Sequence, residues 1–176
     1  MYLESLQDCR LSIGSYPTFH YDARGGGGEA YLINEENDNL QGLRFSPNSF
    51  CIPPINWRTT KVLGLSIPPG LQVKMCLENL QGTIERSTGE IRLDFESRFI
   101  FTIFPYFRFP DLIVKTCLSS GTAKSHLHLV EGKTLQQDGS ATLVGIALVP
   151  LTGHKLLDLF LNLPNEALAI LKCKIK

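Results

Sequence analysis

Between Ile91 and Val114 the chain changes character in a way that few folds accommodate. Ile91, Leu93 and Phe95 alternate with Arg92, Asp94 and Glu96, the period-two signature of a strand with one apolar and one wet face. From Phe99 to Phe104 the intervening positions turn apolar too, as Ile100 and Phe104 join Phe99 and Phe101. Pro105 and Pro110 then bracket Tyr106, Phe107 and Phe109, with Arg108 the single charge among them. This pattern predicts a strand that leaves a half-exposed sheet for surroundings with no water on either face. Core, ligand cavity, partner surface and bilayer surface all satisfy that condition.

The rest of the chain reads as extended structure. Ala30–Ile33 is short and apolar, and Leu40–Ile52 alternates loosely, with Pro47 confining it to an edge or a bend. Val62, Leu63, Leu65 and Ile67 suggest one strand between Pro53-Pro54 and Pro68-Pro69-Gly70. Leu71, Val73, Met75 and Leu77 share a face. Ser87-Thr88-Gly89 predicts a hairpin turn that pairs Leu77–Arg86 with Glu90–Phe104. Leu112–Leu118 and Thr142–Val149 read as strands, with Gln136-Gln137-Asp138-Gly139 as a loop before the second. Lys124–Val130 alternates, which places Leu127 and Leu129 inward and His126 and His128 outward. Leu156, Leu157, Phe160 and Leu161 recur at helical steps and stop before Pro164, so one short C-terminal helix is expected. The tail alternates Leu171, Cys173 and Ile175 with Lys172, Lys174 and Lys176, as an edge strand with a lysine-lined outer face does. Good helix formers at Glu166–Leu171 support a longer helix instead.

Many short strands, one helix and no internal repeat predict a mainly β chain. It is a single domain over residues 1–176, an antiparallel β-barrel or two-sheet sandwich with one short C-terminal helix. Residues 1–14 are expected to form a loosely ordered N-terminal arm. Glu4 and Asp8 interrupt that arm, so it does not read as a secretory leader. The run Phe99–Phe107 falls far short of the roughly 20 residues of a spanning helix. Seventeen basic residues balance seventeen acidic ones, so no net field draws nucleic acid. Peripheral contact with a membrane remains open. The five cysteines are scattered and form no CxxC pair, which predicts small, reduced core residues in a cytoplasmic or stromal compartment.

Candidate chemistry is sparse. The tetraglycine Gly25–Gly28 has neither a following helix nor a P-loop lysine, so a hairpin tip or a close backbone crossing is expected rather than a phosphate cradle. Arg24 beside it is a candidate for holding an anion. His126 and His128, two residues apart with Glu131 beyond, form a fragment of a metal site. Gly121, His126, His128, Glu131 and Gly132 resemble the first cupin signature. Gly145, Pro150, Gly153 and His154 resemble the second, with the spacing altered in both. Glu35, Glu36 and Asp38 read as a solvated acidic loop. There is no GxSxG motif, and no carboxylate pair suited to glycoside chemistry stands out.

Tyr16–Gly28, Gly145–Pro150 and Leu163–Leu168 resemble small all-β proteins of cyanobacteria and plastids that carry no assigned activity. That resemblance implies an association with photosynthetic cells and transfers no functional residue. The leading expectation is a non-enzymatic protein that binds a hydrophobic ligand, a lipid or a pigment, in an apolar β cavity. The expected ligand-binding or docking residues are Phe99, Phe101, Phe104, Tyr106, Phe107, Phe109, Trp57 and Arg108, with no cofactor. One alternative is an accessory or assembly subunit docking on a membrane-associated complex through the aromatic patch. The other is a cupin-like metal enzyme using His126, His128 and Glu131.

Overall fold

Alternation of apolar and polar residues drives this chain into a β ladder whose two ends meet. The structure, a computed structural model, describes residues 1–34, 39–104 and 106–176. The first strands are β1 (Tyr2–Ser5), β2 (Cys9–Ile13), β3 (Phe19–Tyr21), β4 (Gly27–Asn34) and β5 (Leu40–Phe45). A small hairpin follows, β6 (Thr60–Val62) and β7 (Leu65–Ser66), then the long strands β8 (Leu71–Glu85) and β9 (Ile91–Ile103). The remaining elements are β10 (Phe107–Arg108), β11 (Leu112–Ser119), β12 (Thr122–Lys124), β13 (Leu129–Glu131), β14 (Ser140–Val149), α1 (Lys155–Leu161) and β15 (Asn165–Ile175).

Eight antiparallel strands close a ring in the order β1, β4, β5, β8, β9, β11, β14, β15, and β15 returns to pair with β1. The barrel of the two expected architectures is therefore the one adopted. β15 also divides its outer edge between two partners. Cys173–Ile175 pair with Leu3–Ser5 of β1, while Ala167–Ile170 pair with β2. The wall forks there. One branch is β1, β4 and β5. The other runs β2, β3, β6 and β7, and the chain returns to β8 through a bridge between Ile55 and Val73.

This arrangement corrects several expectations. Residues 1–14 are not a loose arm, because β1 and β2 are laddered into the wall and Leu3 and Cys9 are buried. The segment Val62–Ile67 is a hairpin, because Leu63 (φ 50°) and Gly64 (φ 82°) turn the chain back on itself. The longer C-terminal helix does not form. Asn165–Ile175 is instead a strand with partners on both sides, so its lysines face outward from a wall and not from an edge. Cys9 and Cys173 are buried, but Cys51 and Cys117 are exposed. The acidic run Glu35, Glu36 and Asp38 and the residue Pro105 lie outside the described residues.

The lower barrel is packed solid. Leu3, Leu43, Ile91, Leu93 and Leu143 meet there with at most 1% exposure. The tetraglycine lets the closing strand approach. A Cβ on Gly27 (φ 128°) would lie 1.9 Å from the Leu3 carbonyl oxygen, and one on Gly28 would lie 2.8 Å from the Phe50 ring. It is a backbone crossing, as the residues predict, and Arg24 is engaged by Asp22 at 2.6 Å.

Candidate apolar chamber

Above the packed layer the barrel is hollow. β9 keeps its alternation through Ile103, so Phe95, Phe99 and Phe101 project inward and only Ile100 adds an apolar group to the outer face. The two-sided ribbon is thus a one-faced strand followed by a turn at Phe104, whose φ is 51°. Inward side chains in a filled barrel would all be buried. Here Phe95, Phe99, Val114, Thr116, Ala169 and Leu171 face inward yet are only half-buried. The space they border is a cavity of about 710 Å³, within the ~300–1,000 Å³ of typical small-molecule sites.

The fork in the wall makes this room. Below it, β1, β4 and β5 bring Leu3, Leu43 and Phe45 into the core. Above it, β2, β3 and β6 and the segment from Ile52 to Ile55 stand further round, contributing Leu11, Phe19, Val62 and Ile55 to the cavity wall. β8 bends between Leu77 and Asn79, where its register against β9 shifts. Such bulges re-aim a strand.

Among the described residues, no charged side chain lines the chamber. Two of its polar groups are turned toward the backbone: Thr116 Oγ1 donates to the Ile146 carbonyl at 2.8 Å, and the Tyr21 hydroxyl donates to the Pro53 carbonyl, while the buried Ser12 hydroxyl has no partner among the described residues. Burial raises the pKa of the Tyr21 phenol and the Cys9 thiol, as an apolar wall does by disfavouring their charged forms.

The chamber opens at the end where β9 gives way to the Phe104 turn. Leu65, Phe104, Tyr16 and Phe160 line its mouth. A second, polar hollow of about 320 Å³ adjoins it, bordered by Asn56, Trp57, Arg58, Gln72 and Thr102 and sharing Leu71 and Phe104 with the chamber. Arg58 lies over the Trp57 ring, 4.9 Å from its centroid.

The expected site residues divide accordingly. Phe99, Phe101 and Phe104 border the chamber, and Trp57 and Phe104 border the polar annex. Tyr106 and Phe107 are exposed at the rim, 87% and 68% respectively, outside the cavity. Phe109 is half-buried, with its ring edge-on to His154 at 5.5 Å. Arg108 is held by Asp111 at 2.8 Å. The residues unanticipated from sequence are the liners from other strands, such as Leu11, Tyr21, Met75 and Leu171. An inward leucine carries the same alternation whether it meets a neighbour or a void.

The histidine pair follows the expectation in part. His126 is exposed, as expected, but His128 is half-buried; a bend between β12 and β13 keeps the two from sharing a strand face, and Leu127 and Leu129, expected inward, are exposed. The local cause is Ser125, whose Oγ accepts the Leu127 and His128 amides and folds the chain over. His128 Nε2 is buried without a partner among the described residues. No three His, Cys, Asp or Glu side chains converge as a metal site among the described residues.

The chain matches no protein-family model, no curated protein and no solved structure. Its class is defined by its geometry, a closed antiparallel barrel with one packed end and one open, apolar chamber.

Proposed function

We propose that this protein binds a hydrophobic small molecule, a lipid or a pigment, in the upper barrel. The observation that carries this reading is the cavity of about 710 Å³ with no charged residue on its wall among the described residues. An unfilled apolar hollow leaves its lining side chains without partner atoms on one side. The hydrogen-bonded ring of strands keeps the walls apart, and an apolar occupant restores the contacts the hollow lacks. The hydrocarbon part of such a ligand fills the chamber. A polar end group stays at the mouth, where Asn56, Arg58 and Gln72 offer hydrogen bonds.

Nile red titration of the full-length protein tests this. Saturable binding, competed by fatty acids or carotenoids but not by short alcohols, is the expected result. A probe signal that never saturates, with a native mass equal to the bare chain after expression in any host, removes the ligand reading.

A further inference from the structure

The open end of the barrel exposes apolar side chains from three elements. The β6–β7 turn presents Leu63 at 80% and Leu65 at 75% exposure. The segment after β9 presents Phe104, Tyr106 and Phe107 to solvent. α1 buries only Leu157 and Leu161, and it turns Leu156, Leu159 and Phe160 outward. A helix apolar on both sides has a second surface to cover. Leu65, Phe104 and Phe160 all line the same mouth, so these three elements form one crown around it.

Charge at this end is sparse. Residues 13–19 and 62–71 contain no charged side chain. Three carboxylates nearby are occupied: Asp111 holds Arg108 and Arg98, Asp158 accepts the amides of Thr152 and Gly153 and the Thr152 hydroxyl, and Glu166 accepts the Ser125 hydroxyl. Arg58 and Lys155 make no ion pair among the described residues. The walls below carry Lys74, Arg92, Asp94 and Glu96, with a separate exposed apolar run at Tyr31, Leu32 and Ile33 on β4.

From this crown we infer that the open end docks on a lipid bilayer carrying anionic headgroups. A bilayer accepts protruding leucine and phenylalanine tips without a matching shape, as interfacial elements require. Tyr16, Tyr106 and Trp57 bring rings with polar tips to the headgroup level. Arg58 and Lys155 complement a negative surface. The apolar chamber opens within the crown, so a lipid entering from the bilayer never crosses water. The docking surface stands on the crown alone, and the loading route rests on the ligand reading above.

Co-sedimentation of the full chain with vesicles tests the inference. Binding is expected to phosphatidylcholine mixed with phosphatidylglycerol, to weaken on pure phosphatidylcholine, and to fall as salt rises. Leu159→Asp and Phe107→Ser alter exposed side chains, so melting temperature and Nile red binding should hold while vesicle affinity drops about tenfold or more each. The inference is overturned if wild-type protein ignores the mixed vesicles or if both variants sediment as it does. It is equally overturned if the protein is a dimer that Leu159→Asp splits, since a second copy then covers the crown. Retained Nile red binding in any of these cases leaves the ligand reading standing.

Discussion

Gly70 and Phe104 are packed flat against one another across the turn ends of β8 and β9. The Phe104 amide donates to the Gly70 carbonyl at 2.7 Å, and a Cβ on Gly70 would lie 2.8 Å from the Phe104 ring. Phe104 borders both the chamber and the polar annex, so its ring is the partition between them. Gly70 sits at φ 99°, where an L side chain is strained. Gly70→Ala should therefore cost about 2 kcal/mol or more from backbone strain and ring displacement together. It should also weaken ligand binding by moving the partition. Urea unfolding and Nile red titration of one preparation check both effects. Unchanged stability would show that the ring moves aside freely.

Ala169 offers a direct test of the hollow. It lies on β15 opposite Leu11 and Gly145, faces the chamber and is half-buried. In a filled core, Ala169→Phe would overpack and cost ~1–3 kcal/mol. In this chamber the added ring has room and gains apolar contact, so stability should stay level or rise while Nile red binding is lost. A large destabilisation would show that the interior is already full.

Much of the strand pattern was legible because it is local. The alternation of Ile91, Leu93 and Phe95 predicted β9, Ser87-Thr88-Gly89 placed its hairpin with β8, and the leucine steps before Pro164 placed α1. Closure was not legible, because it depends on partners such as Leu3 and Ile175, at opposite ends of the chain. No local residue pattern encodes that register. Ile100 and Phe104 made the ribbon look greasy on both faces, but Phe104 leaves the strand through a left-handed turn. The crown was hidden for a related reason: Leu63, Leu156 and Leu159 carry the same hydropathy as core leucines. The signal that was present is the composition of α1, whose seven residues hold leucine or phenylalanine at every position except Lys155 and Asp158.

The tetraglycine separates closure from flexibility. Gly27 and Gly25 both have positive φ, so a side chain strains either. Only Gly27 has the Leu3 backbone against it, whereas nothing lies within 4 Å of a Cβ on Gly25. Gly25→Ala should cost about 1–2 kcal/mol, as local strain alone requires. Gly27→Ala must push β1 off β4 and open the ring, so it should cost several times more and expose the amides of Leu3 and Ser5, which face β4, to hydrogen exchange. Equal costs for the two variants would mean that β1 contributes little to holding the barrel shut.

The buried acids give the fold an alkaline limit. Burial pushes the Cys173 thiol up to about 12 and raises the Cys9 thiol and the Tyr21 phenol as well. Unfolded cysteine ionises near ~8.5 and tyrosine near ~10. Above those values the unfolded chain binds fewer protons than the native one, so stability falls as pH rises. The loss begins at about pH 8.5 with the thiols and steepens above about pH 10 as Tyr21 joins, by up to about 1.4 kcal/mol per pH unit for each group. Below about pH 8 these three groups are neutral in both states and contribute no slope. Urea midpoints from about pH 8 to about pH 11 should trace this decline. A Cys9→Ala, Cys173→Ala double variant should be flatter below about pH 10 and still fall above it. An identical slope in wild type and variant would show that the thiols ionise in the folded protein as they do in water, and hence that solvent reaches both sites.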